Sequence, residues 1–227
     1  MVARSLADTP PGPGPRMIAA VLLVLLLVGS ATALDVPVDA YRAASQTGSV
    51  GSVSGRVYAE SRTPTGPAQP LTGATVTLLP RSQAFMLQLE RLKEGSRQSS
   101  KAFAAAAPAM RKAQDAYERA LLEAGAPDLS PRIAVGTDGG FRLTEVPAGP
   151  WLVVVWHGSP VDVATPKSST RDRQIFQLPK RLTGFQSVTV WLREVSVARG
   201  ATASVELTDR NEWFRGVIEE RLLDTGR

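Results

Sequence analysis

Few side chains in this chain have types that could do chemistry. It has no cysteine and a single histidine, His157. That composition removes thiolate chemistry and any ordinary zinc site built from several Cys and His ligands. Ser159 and Asp162 follow the histidine closely, so a nucleophile, a base and an orienting acid occur in one short stretch. A hydrolase would use them as a triad, the imidazole taking the hydroxyl proton while the carboxylate holds the ring. No Gly-x-Ser-x-Gly elbow surrounds Ser159, and nearness in sequence is not triad geometry. A hydrogen-bonding histidine at a strand end accounts for the same residues. No catalytic residue is predicted, and hydrolysis through His157 stands as the alternative.

The other candidates resolve in the same way. Asp138 sits in Thr137-Asp138-Gly139, part of what an acidic calcium loop needs, but no further carboxylates stand at the spacing required. It reads as a turn aspartate. Glu90, Glu94, Glu118 and Glu123 fall on helical patterns without an accompanying Glu-x-x-His, and read as solvated faces. The glycines lie at strand ends rather than in a phosphate-binding loop. No metal and no cofactor is expected. The stretch Gly158–Gln186 reads as a long basic loop carrying Lys167, Arg171, Arg173, Lys180 and Arg181, either a recognition surface or a permissive insertion.

Residues 1–33 read as an export signal. Arg4 and Arg16 precede the apolar run Met17–Val28, and Ala31-Thr32-Ala33 supplies small residues at the cleavage site. The run is short against the roughly 20 apolar residues of a spanning helix. The mature chain is expected to begin at Leu34, without a lipid anchor because no cysteine follows, and to be periplasmic or secreted. The net charge of +5 falls to +4 once Arg4, Arg16 and Asp8 leave. Acids and bases are interspersed and no basic patch carries aromatics between its charges, so no nucleic-acid partner is expected. No stable membrane insertion is expected after cleavage. Without disulfides, stability must come from a hydrophobic core.

Several elements must position these residues. Residues 34–51 lack periodicity and read as a flexible leader. From Ser52 the pattern alternates, with Val53, Gly55 and Val57 on one face, and it alternates again at Ala74, Val76 and Leu78. Within residues 81–130, Phe85, Leu89 and Leu92, then Phe103, Met110, Tyr117 and Leu121, recur at helical spacing. This predicts an inserted helical hairpin, with Pro108 kinking the second helix or marking its start. Because loop closure costs little extra for a long insertion, the hairpin is expected to be removable without unfolding the rest. Asp138-Gly139 predicts a two-residue primed hairpin turn. Trp151–Trp156 is apolar on both faces, as in a central strand covered on both sides, and Val188–Leu192 and Ala201–Leu207 supply two more strands. Short strands separated by turn signals predict a β-sandwich spanning residues 52–208.

The stretches SGRVYAE (Ser54–Glu60), PLTGATVTLL (Pro70–Leu79), TDGGFRL (Thr137–Leu143) and VPAGPWLVVV (Val146–Val155) occur in that order. Together they resemble the carboxypeptidase regulatory-like domain, a transthyretin-like member of the immunoglobulin-like sandwiches. The resemblance covers Val53–Leu79 and Val135–His157 well and Val188–Leu207 loosely. It implies a mainly β, immunoglobulin-like fold and an accessory or recognition module without a catalytic set. The helical segment is inserted where that family has a short connection, and the Asp-to-Phe turn is two residues shorter than its common form. The related transthyretin-like hydrolases depend on histidines and a Tyr-Arg-Gly-Ser ending, whereas this chain ends Leu-Asp-Thr-Gly-Arg.

The remaining segment, residues 209–227, predicts a C-terminal amphipathic helix. Asp209 and Glu212 have capping-box spacing, and Trp213, Phe214, Val217, Ile218 and Leu222 gather on one side. Either that face docks on the sandwich or the hairpin, or Trp213, Phe214 and Ile218 anchor a partner. The expected function is that of an exported, non-catalytic binding or structural accessory module of the cell envelope. Its partner would be another envelope protein or a carbohydrate.

Overall fold

The structure is a computed structural model that describes residues 34–63, 66–161 and 182–221. The signal segment, Asp162 and the five basic residues of the predicted loop lie outside them. Among the described residues nine strands form two sheets, accompanied by three α-helices. In the first sheet β1 (Val50–Ala59) is central. One edge of it pairs antiparallel with β5 (Gly140–Pro147) and then with the short β2 (Gln69–Pro70), and the other pairs parallel with β8 (Thr202–Thr208). The second sheet runs in the order β4 (Arg132–Ala134), β3 (Thr75–Pro80), β6 (Gly149–Val161), β7 (Leu182–Val197), β9 (Phe214–Arg221), all antiparallel. This is the mainly β sandwich that the alternating stretches predict, with the immunoglobulin-like architecture that the resemblance implies.

The double-sided apolar stretch Trp151–Val155 has its explanation in a third layer. Trp151, Val153 and Val155 are fully buried on the face toward the first sheet, where the Trp151 indole donates to the Pro147 carbonyl at 2.8 Å. Leu152, Val154 and Trp156 are buried beneath the hairpin of α2 (Gln83–Gly95) and α3 (Ser100–Glu123). Each fully buried side chain of this size contributes roughly 1.5–3 kcal/mol relative to exposure. Ser82 and Ser99 cap the two helices, accepting from the amides of Phe85 at 3.0 Å and Ala102 at 3.1 Å. The second helix runs through Pro108 without ending there. Phe85, Leu89, Met110, Tyr117 and Leu121 all enter the common core. The hairpin therefore covers one face of the second sheet and shares its core, which counts against the expectation that it is removable.

Glu118 is not a solvated helix face, and Glu90, with 46% of its side chain exposed, is one only in part. Gln114, itself buried, accepts the Trp156 indole N–H at 2.6 Å and donates to Glu118 at 2.7 Å. Glu118 in turn takes both 2.8 Å hydrogen bonds from Arg132 on β4. This chain fastens α3 to the sheet through satisfied polar atoms, as burial requires. Glu90 accepts the Trp213 indole N–H at 2.9 Å. Glu94 and Glu123 are exposed as expected.

Three further expectations change. The segment expected to be a flexible leader contains α1 (Val38–Gln46). Its Tyr41 is buried edge-on to Trp151 and donates to the Pro150 carbonyl. The two Oδ atoms of Asp35 accept from the Ser82 hydroxyl and the Ala84 amide, so the segment straps the hairpin to the sandwich. The turn at Asp138 is not a hairpin, since β4 and β5 belong to different sheets. Only Gly139 has positive φ, at 80°, and the Asp138 carboxylate accepts from the Gly140 amide at 2.9 Å. This is the turn aspartate with a local cap.

The C-terminal helix is a strand. Thr208–Trp213 forms a tight turn instead of a helix start, with Asn211 Oδ1 accepting from the Thr208 amide at 2.9 Å, while Asp209 accepts from the Glu60 amide at 2.8 Å. From Phe214 onward the chain pairs with β7 from Val190 to Leu182. Gly216 packs so closely that an added Cβ would lie 2.6 Å from the Phe214 ring and 3.2 Å from the Ala107 Cβ on α3. Pairing with an existing edge outweighs the capping spacing, and Gly216 already weakens a helix here.

Candidate functional site

The site follows from a change of residue class along two neighbouring strands. In the register of β6 and β7, Val155 faces Trp191, His157 faces Thr189, and Ser159 faces Ser187. Directly opposite residues share one face of the sheet. On that face the apolar pair Val155–Trp191 is followed by two polar pairs, His157–Thr189 and Ser159–Ser187, before the apolar positions Val161 and Phe185. The first sheet stops near this level, as β1 ends at Ala59 and β2 at Pro70. β6, β7 and β9 continue as a three-stranded ribbon.

Beneath the ribbon is a cleft of about 190 Å³. His157, Ser159, Ser187 and Thr189 line it with Ala59, Leu71 and the buried Trp191, together with Asp209 and Glu212 of the β8–β9 turn and Arg215 on β9, opposite Thr189. Burial pushes the His157 imidazole below its ordinary 6.5, and a hydrogen bond with the Thr72 backbone offsets this only in part. The ring is neutral above that pH. Arg215 gives two hydrogen bonds to Glu212 Oε2, at 2.7 and 3.1 Å, so these charges cancel locally. Asp209 is oriented by the Glu60 amide, and Glu60 pairs with Arg210 at 3.0 Å. The hydroxyls of Ser159, Ser187 and Thr189 make no side-chain hydrogen bond among the described residues.

The structure brings His157 and Ser159 to one cleft, but not into a triad. Among the described residues the imidazole bonds neither a hydroxyl nor a carboxylate. Asp162 lies outside them. Ser187, Thr189, Asp209, Glu212 and Arg215 were missed as site residues. Ser187-Val188-Thr189-Val190 does alternate in the sequence, and its polar positions are the available signal. The predicted loop is also shorter than expected, because Gly158–Val161 and Leu182–Gln186 are paired strand.

Two other depressions lack such convergence. One of about 410 Å³ is lined by Ser45, Gly48, Asp128 and Glu145, and the described residues contain no group of three potential metal ligands. The other is a shallow alanine-rich groove between α2 and α3. Trp213, Phe214 and Ile218, named as partner anchors, turn toward the hairpin instead. Phe214 is buried beside Phe103, Ile218 packs on the core, and Trp213 bonds Glu90 while the Lys93 ammonium sits 4.6 Å from its ring centre. A side chain buried in its own fold cannot anchor a partner, which corrects the anchor reading for Phe214.

No family model matches the chain, and no curated protein matches it. Among solved structures it is similar to a candidate carbohydrate-binding protein of Pseudomonas aeruginosa. That similarity is at 15% identity and TM-score 0.42, covering 75% of this chain and 95% of that one. It is also similar to a minor pilin of Streptococcus agalactiae at 8% identity and TM-score 0.29, covering 79% of this chain and 48% of the pilin chain.

Proposed function

We propose that the protein is an exported, non-catalytic accessory module of the cell envelope that binds a partner or ligand at the cleft beneath the β6–β7–β9 ribbon. The observation that carries this reading is the pair of polar steps, His157–Thr189 and Ser159–Ser187, on one strand face, where the hydroxyls make no side-chain hydrogen bond among the described residues. Polar side chains held on strands are suited to recognition because little ordering cost remains on binding. The four ordered stretches support kinship with carboxypeptidase regulatory-like domains, and the small-residue cleavage site supports export. Photo-crosslinking from position 187 in intact cells, with position 94 on the exposed helix face as control, tests the site. Adducts specific to 187 are expected, and identical adducts from both positions would reject it. N-terminal sequencing of the same material is expected to begin at Leu34.

The observation favouring hydrolysis is that His157 and Ser159 share the cleft. Labelling by a fluorophosphonate probe that disappears in Ser159→Ala would establish it.

A further inference from the structure

We infer that the cleft takes one neutral, polyhydroxylated unit, such as a single pyranose ring of a glycan. This inference rests on the binding reading of the same cleft. Its volume of about 190 Å³ is below the roughly 300 Å³ at which drug-sized pockets begin, so it suits one small ring rather than a peptide or an extended chain. The charges then select among small ligands. Anions meet two carboxylates, Asp209 and Glu212, while the guanidinium of Arg215 is already held by Glu212. A metal cation finds no group of three ligands among the described residues. An organic cation would seek an open aromatic face, but Trp191 is fully buried.

A neutral polyol suits what is left. Ser159, Ser187 and Thr189 each offer a donor and acceptors from adjacent strands, and the neutral imidazole adds one more polar partner. The free oxygens of Asp209 and Glu212 can accept from ligand hydroxyls without a full ligand charge to repel. Ala59 and Leu71 give an apolar surface for the C–H face of a ring.

A printed array carrying neutral, uronic-acid, sulfated and amino-sugar glycans tests this with the mature chain. Neutral glycans are expected to be retained and acidic ones excluded. Ser187→Ala with Thr189→Val is expected to weaken retention by at least about tenfold, since each lost hydrogen bond contributes about 1 kcal/mol. Thermal melting confirms that the variant is folded, and the single Ser159→Ala change repeats the measurement if the double variant is not. Preference for acidic glycans, equal binding by the variants, or no binding to any glycan overturns the inference. No glycan binding together with a protein adduct at position 187 would leave the site standing and reject only its ligand class.

Discussion

The β6–β7–β9 ribbon has two faces made by the same strands, and they have opposite fates. Toward the helices it presents Trp156, Val188, Val190 and Phe214, all buried under α3. Toward the first sheet, one residue along, it presents His157, Thr189 and Ser159 around an open cleft. Backbone pairing is common to both, so the difference comes from what each face meets. The hairpin continues to cover one side after the first sheet has ended on the other. The cleft opens because one layer ends early while another continues to cover the projecting strands.

Removing the covering layer should break the comparison most completely. Replacing residues 81–130 by a short Gly/Ser linker exposes Leu152, Val154, Trp156, Val190 and Phe214 together and severs the Arg132–Glu118 link. Loss of cooperative melting is expected, measured by near- and far-ultraviolet circular dichroism. A retained, cooperative β-type transition would show that the sandwich stands alone.

Single substitutions at neighbouring positions sharpen the contrast. Trp156→Ala removes a core indole and leaves the buried Gln114 oxygen without its 2.6 Å partner, so a loss of about 3–5 kcal/mol is expected. Thr189→Ala, on the other face opposite His157, should stay within about 0.5 kcal/mol of the parent. Urea denaturation of both variants compares the faces directly, and similar losses would mean that the cleft wall is structural.

The N-terminal strap supplies an intermediate effect. Burial pushes the Asp35 carboxyl up, but hydrogen bonds from Ser82 and the Ala84 amide outweigh it and hold the group below its ordinary 3.8. Its stabilisation is therefore present above that pH and is lost as pH falls through the lower folded value. Asp35→Ala should cost about 1 kcal/mol at neutral pH, as loss of a helix cap does. The same substitution at a pH well below 3.8 should cost much less. An equal cost at both would assign the effect to packing.

The two faces were unequally legible in the sequence. The sandwich and the helical hairpin could be read because alternation at Val53–Val57 and helical spacing at Phe85–Leu92 are local signals. The double-sided burial of Trp151–Trp156 was legible for the same reason. The cleft was not, since it depends on where the first sheet stops relative to a register between distant strands. The C-terminal strand was misread because Trp213-Phe214 and Val217-Ile218 fit helical spacing as well as the edge of β7, and only tertiary pairing decides between them. Tyr41 was missed in α1 because one buried aromatic, closing on Trp151 from a segment without periodicity, leaves no pattern.

The smallest effect lies on the cleft side and depends on pH. The folded His157 imidazole titrates below 6.5 because burial disfavours its charged form, while the unfolded ring returns to the ordinary value. Between those two values the unfolded state binds more protons, so acidification weakens the fold there and nowhere above 6.5. His157→Asn keeps a polar side chain without titrating and should flatten that part of the stability profile. The Asp35 contribution cannot mimic the effect, because its window lies below 3.8. Urea midpoints of parent and variant should converge above pH 6.5 apart from a constant offset, and the parent should fall relative to the variant at lower pH. A parent that gains stability on acidification would mean that the ring is charged in the fold and paired with Asp209 or Glu212. The cleft would then be an ionic site, and the inference that it takes a neutral ring would fail with it.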